Sequence, residues 1–450
     1  MNQRIHILAF ALPIFTAGIF AVAQSDSSTP RRITLQEAVQ LALKHNHVVR
    51  IAESAVEEKR NAKDVARSSY FPVLRNESTF LHVTDTQFIQ IPSGGLGVFG
   101  NTFIPQQPLI LNQGGLNLTT SGTGLVQPLT ELLKIRAGND IARAELNATR
   151  GKSRGVQNDI ALKVRQLYYK ILVSQSRRNA IEAKLRATEV LQRERVQEVK
   201  YGSTLEAELI ESRAQSLQAK QELLSTDLQL SDLRMQFNES IGFPLQKDVA
   251  LDPIVPSQPD SCLRDECIKL ALESHPEIAE ARAVVEKASA AVRLAKRDYV
   301  PDVEAIARYS YANNVPFLAR NFGTFGIHLS YDLFDAGKKS AMLREREAQL
   351  AQAKENLARV SDEVELRVQT AYNKIERTQK MIAVSEELLE VRREARRVSS
   401  QQTEHGASLR SQAATVVAQE FEAQTLLLQS QLEYVEASDE LTQAIGLGPR

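Results

Sequence analysis

The chain has 450 residues, of which 55 are basic and 55 acidic, and 43% are hydrophobic. A balanced charge argues against a nucleic-acid-binding protein, which would carry a basic face. A composition rich in alanine and charge, with 6% aromatic residues and no tryptophan, is typical of long helices rather than a thick globular core.

The N-terminus has the pattern of a secretory signal peptide. Arg4 precedes an apolar run that extends to Val22, and Ala21-Val22-Ala23 provides small residues for cleavage. We therefore expect residues 1–23 to be a signal peptide, the alternative being an uncleaved membrane anchor. Residues 24–32 are expected to form a flexible leader.

The first half of the chain predicts helix, hairpin and helix. A helix is expected from Ile33 to Tyr70, with Thr34 and Glu37 as its capping box. Residues 73–128 predict a β-hairpin with a long loop over 89–115, which is rich in glycine and proline. A charged helical pattern follows from about 132 to 200, with a weak point at Gly151 and Gly155, and a return helix ends at 241–242.

The second half follows the same plan after a proline-rich linker at residues 243–262. A helical period from Glu266 changes at Tyr299-Val300-Pro301 to the period of two that a strand requires. A long helix over roughly 337–404 and a return helix to 445–446 complete the pattern. The apolar face of the two strands, which we predict to face lipid, contains Val303, Ala305, Ala307, Tyr309, Tyr311, Phe325, Ile327, Leu329 and Tyr331.

The two halves align as a tandem duplication. Residues 37–72 match 266–301 at a constant offset of 229, and the segments after the hairpins match at an offset of 204. The difference between these two offsets corresponds to additional residues in the first hairpin. The sequence thus predicts a first repeat at 24–242, a second at 263–446 and a tail at 447–450.

The predicted fold is mainly α, with coiled-coil packing of long antiparallel helices and a transmembrane β contribution. The longest helix would span about 100 Å at 1.5 Å per residue. Strands of about ten residues suit a tilted crossing of a bilayer. One chain offers only four such strands, whereas a closed barrel needs about eight. The strands therefore belong either to a 12-stranded barrel formed by three copies or to a soluble sheet.

Two cysteines, Cys262 and Cys267, lie five positions apart at the start of the second repeat. Disulfides persist in exported proteins. If both residues were helical, their Cα atoms would be too far apart to bridge, whereas an extended Cys262 permits a local disulfide. A disulfide and two free thiols are both compatible with this spacing.

The order of these elements resembles the TolC-type outer-membrane efflux proteins. The motifs that carry the resemblance are LQEAVQLALKHN (35–46), ECIKLALESHPEI (266–278), Tyr-Phe-Pro (70–72), Tyr-Val-Pro (299–301), Gln127-Pro128-Leu129 and the run from Leu333 to Lys338. The resemblance covers essentially the whole mature chain. It implies a homotrimer in outer-membrane lipid, extended across the periplasm, which serves efflux or type I secretion by docking to a periplasmic adaptor and an inner-membrane transporter.

The resemblance also implies a periplasmic tip made by two helix-to-helix turns. Gly202 and Gly406 suit such turns because glycine tolerates positive φ, and Leu205 and Leu409 follow them as candidate adaptor contacts. Some relatives carry acidic residues after the second glycine, whereas this chain has Arg410 there. Glu206 and Glu208 follow the first glycine instead, as tip charges or as a solvated helix face.

The sequence contains no nucleophile motif, phosphate loop or metal-ligand cluster, so no enzyme activity, cofactor or metal is expected. His45 and His47, two positions apart, do not share a helix face. The alternative to a channel is a periplasmic coiled-coil adaptor or scaffold that never spans the outer membrane. Such an adaptor would carry a lipoyl-like β domain between its helices, and the sequence shows no pattern for one.

Overall fold

The computed structural model describes residues 31–85, 88–112, 115–254, 263–315, 318–406 and 409–448. The predicted signal peptide and the start of the leader lie outside these ranges. The first part of the chain contains β1 (Arg31–Ile33), α1 (Leu35–His45), α2 (His47–Ser68), β2 (Val73–His82), β3 (Phe88–Ile91), β4 (Val98–Phe99), β5 (Thr102–Phe103), β6 (Leu109–Asn112), β7 (Asn117–Pro128), α3 (Leu132–Lys200) and α4 (Glu206–Ile241). The remainder contains β8 (Val249–Leu251), α5 (Arg264–Ser274), α6 (Pro276–Arg297), β9 (Asp302–Asn313), β10 (Asn321–Ser330), α7 (Lys338–Glu404) and α8 (Arg410–Ala444).

The two long helices form where the sequence predicts them. The helix α3 has 69 residues and α7 has 67, so each is about 100 Å long. Their apolar seams are buried, as Val164 and Ile171 show in α3 and Val364 and Val368 in α7. The shorter helices pack along them: α1, α2 and α4 against α3, and α5, α6 and α8 against α7.

The helix that precedes each hairpin is broken, whereas the sequence analysis predicted one continuous helix in each repeat. Asn46 and His275 occupy equivalent positions and both have extended backbone. Each side chain caps the following helix: Asn46 Oδ1 accepts from the Val48 amide at 2.9 Å, and His275 Nδ1 accepts from the Glu277 amide at 3.2 Å. The predicted Thr34 cap is present at the start of α1, where its Oγ1 accepts from the Glu37 amide at 3.2 Å.

The strands β2, β7, β9 and β10 form one antiparallel sheet in the order β10-β9-β7-β2. The two hairpins meet along β7 and β9, where Leu125 lies opposite Ala307 and Thr123 opposite Tyr309. Strands β2 and β10 are therefore the edges of the sheet, and within the described residues neither has a second partner strand.

Within the segment predicted as a loop at residues 89–115, the described residues up to Asn112 form a narrow β ribbon instead. Strand β3 pairs with β6, and β4 pairs with β5 at the tip. The prediction was wrong because alternating residues such as Ile89 and Ile91 were outweighed by the surrounding glycines and prolines. We call residues 88–112 the extension.

A second short pairing joins the start of the first repeat to the linker that follows it. Strand β1 runs parallel to β8, so Arg31 and Arg32, predicted as flexible leader, and Val249–Leu251, predicted as linker, are ordered. The Tyr168 hydroxyl on α3 lies 3.0 Å from the Ile33 carbonyl oxygen and 2.8 Å from that of Asp252. Burying Ile33 and Tyr168 in one apolar cluster fixes this pairing against the helical body.

Candidate functional site

The predicted lipid-facing residues of the second hairpin lie on one face of the sheet. Phe325 lies directly opposite Ala307, Ile327 opposite Ala305, and Leu329 opposite Val303. Phe325 is 92% exposed and Ile327 is 73% exposed. Tyr309 and Tyr311 share this face, whereas Tyr331 lies just beyond the end of β10. Large apolar side chains this exposed mark a surface that another apolar phase covers.

The first hairpin adds residues that the sequence analysis did not identify. Leu74 and Leu125 continue the apolar row of Ala307 and Phe325. Next to them, Asn76 donates to Thr123 Oγ1 at 2.8 Å, and the Ser78 and Ser121 hydroxyls lie 2.9 Å apart. These side chains satisfy one another, which lowers the cost of placing them on an apolar face. The polar runs in this hairpin hid its alternation.

The opposite face of the sheet is charged. Arg308 lies over Gly122, where an added Cβ would come 2.5 Å from the guanidinium, and its Nη2 is 3.9 Å from Glu77 Oε2. Arg75 Nη1 lies 3.8 Å from the other carboxylate oxygen of Glu77. The sheet therefore has one apolar face and one face with ion pairs, the alternation that a membrane barrel requires.

The far end of the helical body consists of two turns. Gly202 has φ +71° and Gly406 has φ +69°, the left-handed region in which a Cβ is strained. Leu205 and Leu409 occupy the N-cap positions of α4 and α8 and are 73% and 48% exposed. Two leucines thus stand at the surface of the tip, although whether an adaptor contacts them stays a prediction.

The predicted tip charges lie in different environments. Glu206 is exposed in the first turn of α4. Glu208 accepts from the Thr204 hydroxyl at 2.9 Å and lies 3.2 Å from Arg195 on α3. Arg410 begins α8, where the helix dipole disfavours a cation.

A carboxylate that the sequence analysis missed offsets this charge. Glu194 Oε1 on α3 accepts from the Ser411 amide at 3.0 Å and so caps α8 from outside. Because 217 positions separate the two residues, no local pattern could reveal the contact. The tip of the second repeat is thereby attached to the long helix of the first.

A buried ionic contact joins the two repeats farther along the same helices. The Arg165 guanidinium pairs with Asp439 Oδ1, and the Tyr169 hydroxyl donates to Asp439 Oδ2 at 2.5 Å. Burial raises the pKa of the Asp439 carboxyl, while the Arg165 charge and the Tyr169 hydrogen bond oppose that shift. The contact holds α3 of the first repeat against α8 of the second.

Of the two cysteines, only Cys267 lies among the described residues. Cys267 is fully buried in the apolar cluster of the second repeat, between α5 and α7. Cys262 lies outside the described residues, so the disulfide stays a prediction.

Two further properties concern the described residues only. None of their helices combines the length and the hydropathy that a membrane-spanning helix needs. No group of three or more His, Cys, Asp or Glu side chains among them has an arrangement that could hold a metal ion.

An open-edged sheet with one apolar face thus lies at one end of a helical body about 100 Å long. Residues 267–447 match the family described as outer membrane efflux protein. No curated protein sequence matches the chain.

Solved structures share the whole fold. The chain is similar to the CmeC outer membrane channel of Campylobacter jejuni (TM-score 0.76, 12% identity, covering 92% of this chain and 85% of that one). It is also similar to the outer membrane protein VceC of Vibrio cholerae (TM-score 0.73, 15% identity, 92% and 96% covered). A third similar structure is the open state of the MtrE outer membrane channel of Neisseria gonorrhoeae (TM-score 0.70, 16% identity, 92% and 89% covered).

Residues 267–447 therefore resemble the outer membrane efflux protein family, and the chain as a whole has the fold of these solved outer membrane channels. The matched region and the fold are those of outer membrane channels, and the scaffold alternative is not favoured. Channels of this family are trimeric, dock to an adaptor and a transporter, and are not enzymes.

Proposed function

We propose that three copies of this chain form a passive exit duct whose periplasmic tip opens when an adaptor and an inner-membrane transporter dock. Four strands per copy would close into a 12-stranded barrel, since β10 of one copy can pair with β2 of the next. The face with Arg308 and Glu77 would then line the lumen, and the face with Phe325 and Ile327 would contact lipid.

The observation that carries this proposal is a contact missing from the single chain. Helix α3 packs against α8, with Phe421 packed against a cluster that contains Ala187. The repeat equivalents of these residues, at the offset of 204, are Leu217 on α4 and Val391 on α7. Among the described residues, α4 and α7 share no substantial packing, so the equivalent interface requires another copy.

Both helices expose the surface that such an interface would bury. Large apolar side chains recur at every seventh position on each helix, at the spacing of a coiled-coil seam. On α4 they are Ile210, Leu217 and Leu224, and on α7 they are Val384, Val391 and Val398. We call these the α4 stripe and the α7 stripe. Because each lies on a different part of the chain, their pairing is head-to-tail, and it closes into a ring of three when the rotation between copies is a third of a turn.

The tip supports the docking part of the proposal. Gly202 and Gly406 hold two tight turns, and the exposed Leu205 and Leu409 flank them. Exposed apolar side chains with polar neighbours mark protein–protein interaction sites. Splaying α7 and α8 away from α3 would open the tip, and it would have to break the Glu194 cap and, farther along, the Arg165–Asp439 pair.

Conductance of the purified protein in planar bilayers tests the proposal. We expect a low-conductance closed state, and steps of higher conductance after Glu194→Gln is combined with Asp439→Asn, because both changes weaken the contact between α3 and α8. The wild-type protein in outer-membrane extracts should also migrate as a heat-modifiable trimer. A soluble periplasmic pool with no trimer and no conductance would refute the duct.

A further inference from the structure

The extension (residues 88–112) is the part of the molecule that the duct does not explain. It accounts for the extra length of the first hairpin, whereas the second hairpin turns within the few residues between Asn313 and Asn321. Backbone hydrogen bonds continue through it, from the Gly94 amide to the Pro105 oxygen at 2.9 Å and from the Leu96 amide to the Ile104 oxygen at 2.9 Å. The extension is therefore a defined ribbon.

The extension is uncharged and apolar. The chain has no Asp, Glu, Lys or Arg between Asp85 and Glu131, although 24% of all its residues are charged. Large hydrophobic side chains nevertheless stand exposed along the whole ribbon, and Phe99 at the tip is 81% exposed. The others are Ile89, Leu96, Val98, Phe103, Ile104, Leu109, Ile110 and Leu111. A continuous exposed apolar surface of this kind marks a binding surface.

Within the described residues, the extension shares no substantial packing with any other element. Hydrogen bonds to the second hairpin lie just beyond its last residue, where Asn314 Nδ2 donates to the Asn117 oxygen at 2.8 Å and the Gly115 amide donates to the Asn314 oxygen at 3.2 Å. A two-stranded ribbon is marginally stable alone in water. None of the described residues outside the extension covers it.

We infer that the extensions of three copies pack against one another over the extracellular mouth and form an apolar constriction there. The inference rests on the proposed trimer. Each extension continues β2 and β7, and β2 is the edge at which one copy would meet the next. Three identical ribbons would thus stand around one pore at an effective concentration in the millimolar range.

The chemistry favours a second copy over the other candidates. Identical surfaces without charge do not repel one another when three are brought together. An anionic membrane surface is recognised by Lys and Arg, and a membrane interface by Trp and Tyr; the extension contains none of these four residues. A strongly charged partner finds no complementary charge. An apolar ring in a pore impedes ions by excluding water.

Replacing residues 88–112 by the short turn of the second hairpin (314–320) tests the inference. We expect the single-channel conductance to rise at least about twofold, because the narrowest point of the mouth is removed. A second variant, Phe99→Glu, brings three negative charges together at the constriction, where they repel one another, and it should also raise the conductance. Gln107→Glu adds the same charge at an exposed polar position of the extension and serves as its control.

Cross-linking identifies what covers the extension. Phe99→Cys should give disulfide-linked chains on a non-reducing gel of the intact, oxidised trimer. An intact trimer without this cross-link and with unchanged conductance in both variants would overturn the inference and leave the duct standing. Labelling of the introduced thiol by a lipid-soluble probe instead of cross-linking would also overturn it, in favour of a lipid surface. Absence of the trimer itself would count against both proposals.

Discussion

At the scale of single residues, close helix packing explains a glycine that the sequence pattern marks as a weak point. Helix α3 runs without a break through Gly151 and Gly155. A Cβ on Gly151 would lie 2.9 Å from the Pro276 oxygen and 2.9 Å from the Glu280 amide nitrogen. Gly151 therefore permits α6 to approach α3, whereas nothing lies within 4 Å of a Cβ on Gly155.

The two glycines form a matched pair for a stability measurement. We expect Gly151→Ala to lower the free energy of unfolding by about 1–3 kcal/mol, because backbone atoms cannot move away from the new methyl group. Gly155→Ala should raise it by about 0.5–1 kcal/mol, because alanine favours a helix. Thermal or denaturant unfolding followed by circular dichroism measures both. Equal effects of the two substitutions would contradict the packing explanation.

A second residue-scale effect concerns acid stability at the junction of α6 and α7. Arg367 donates to both carboxylate oxygens of Glu277, with Nη1 2.8 Å from Oε1. This pairing lowers the pKa of the Glu277 carboxyl, while burial raises the pKa of Asp159 and lowers that of His275 beside it. A carboxyl group whose pKa is lower in the folded protein stabilises the fold at pH values above its pKa in the unfolded chain, which is about 4.3. This stabilisation is lost as the pH falls through the pKa of the folded state.

We therefore expect Glu277→Gln to lower the unfolding temperature at pH 7 and to have a progressively smaller effect as the pH falls below the unfolded pKa. Because both side chains are more than a third exposed, solvent screening limits the contribution to about 1 kcal/mol or less. Asp159→Asn is the control, since a raised carboxyl pKa acts with the opposite sign. If the difference in unfolding temperature between wild type and Glu277→Gln does not change with pH, the Glu277–Arg367 pair is not its source.

At the scale of elements, the two return helices begin differently although the repeats are equivalent. Helix α4 starts with acidic residues that suit the helix dipole, whereas α8 starts with Arg410 and has no acidic residue in its first turn. The Glu194 carboxylate on α3 provides the negative charge that the first turn of α8 lacks. This asymmetry makes the tip of the second repeat dependent on the long helix of the first.

Removing that carboxylate should loosen one helix only. Glu194→Ala deletes an external cap, a change that costs about 0.5–2 kcal/mol for caps of comparable geometry. We expect faster amide hydrogen exchange in the first turn of α8, at Ser411 and the residues after it. The first turn of α4 is the internal control, and equal acceleration in both helices would indicate general loosening instead of a lost cap.

At the scale of the whole molecule, the trimer can be tested at one residue pair. In the proposed interface Leu217 of one copy lies beside Val391 of the next, as Phe421 lies near Ala187 within one chain. Leu217→Cys combined with Val391→Cys should form disulfides between chains on mild oxidation, visible as higher bands on a non-reducing gel. The control pairs Leu217→Cys with Leu366→Cys, which is exposed but about 37 Å away along α7.

Cross-linking of the control pair and not of the designed pair would refute the proposed register. Cross-linking of neither, in a protein that still conducts, would place the interface on other surfaces. The double variant should also be compared with a background that lacks Cys262 and Cys267, so that bridges to the native cysteines are excluded.

The amino-acid sequence by itself determined the duplication, the two long helices, the strand faces of the second hairpin and the glycine turns. These properties follow from periodicity, from the absence of proline and from the special φ of glycine, all of which act over a few neighbouring residues. The resemblance of the ordered motifs was enough to indicate the family.

Only the tertiary structure decided how the parts meet. The breaks at Asn46 and His275 depend on capping that competes with a continuous helix, and the Glu194 cap and the Arg165–Asp439 pair join residues hundreds of positions apart. The ordered extension was misread because its glycines and prolines also suit an irregular loop. Contacts between distant segments leave no local periodicity, so the fold itself has to bring them together before they can be seen.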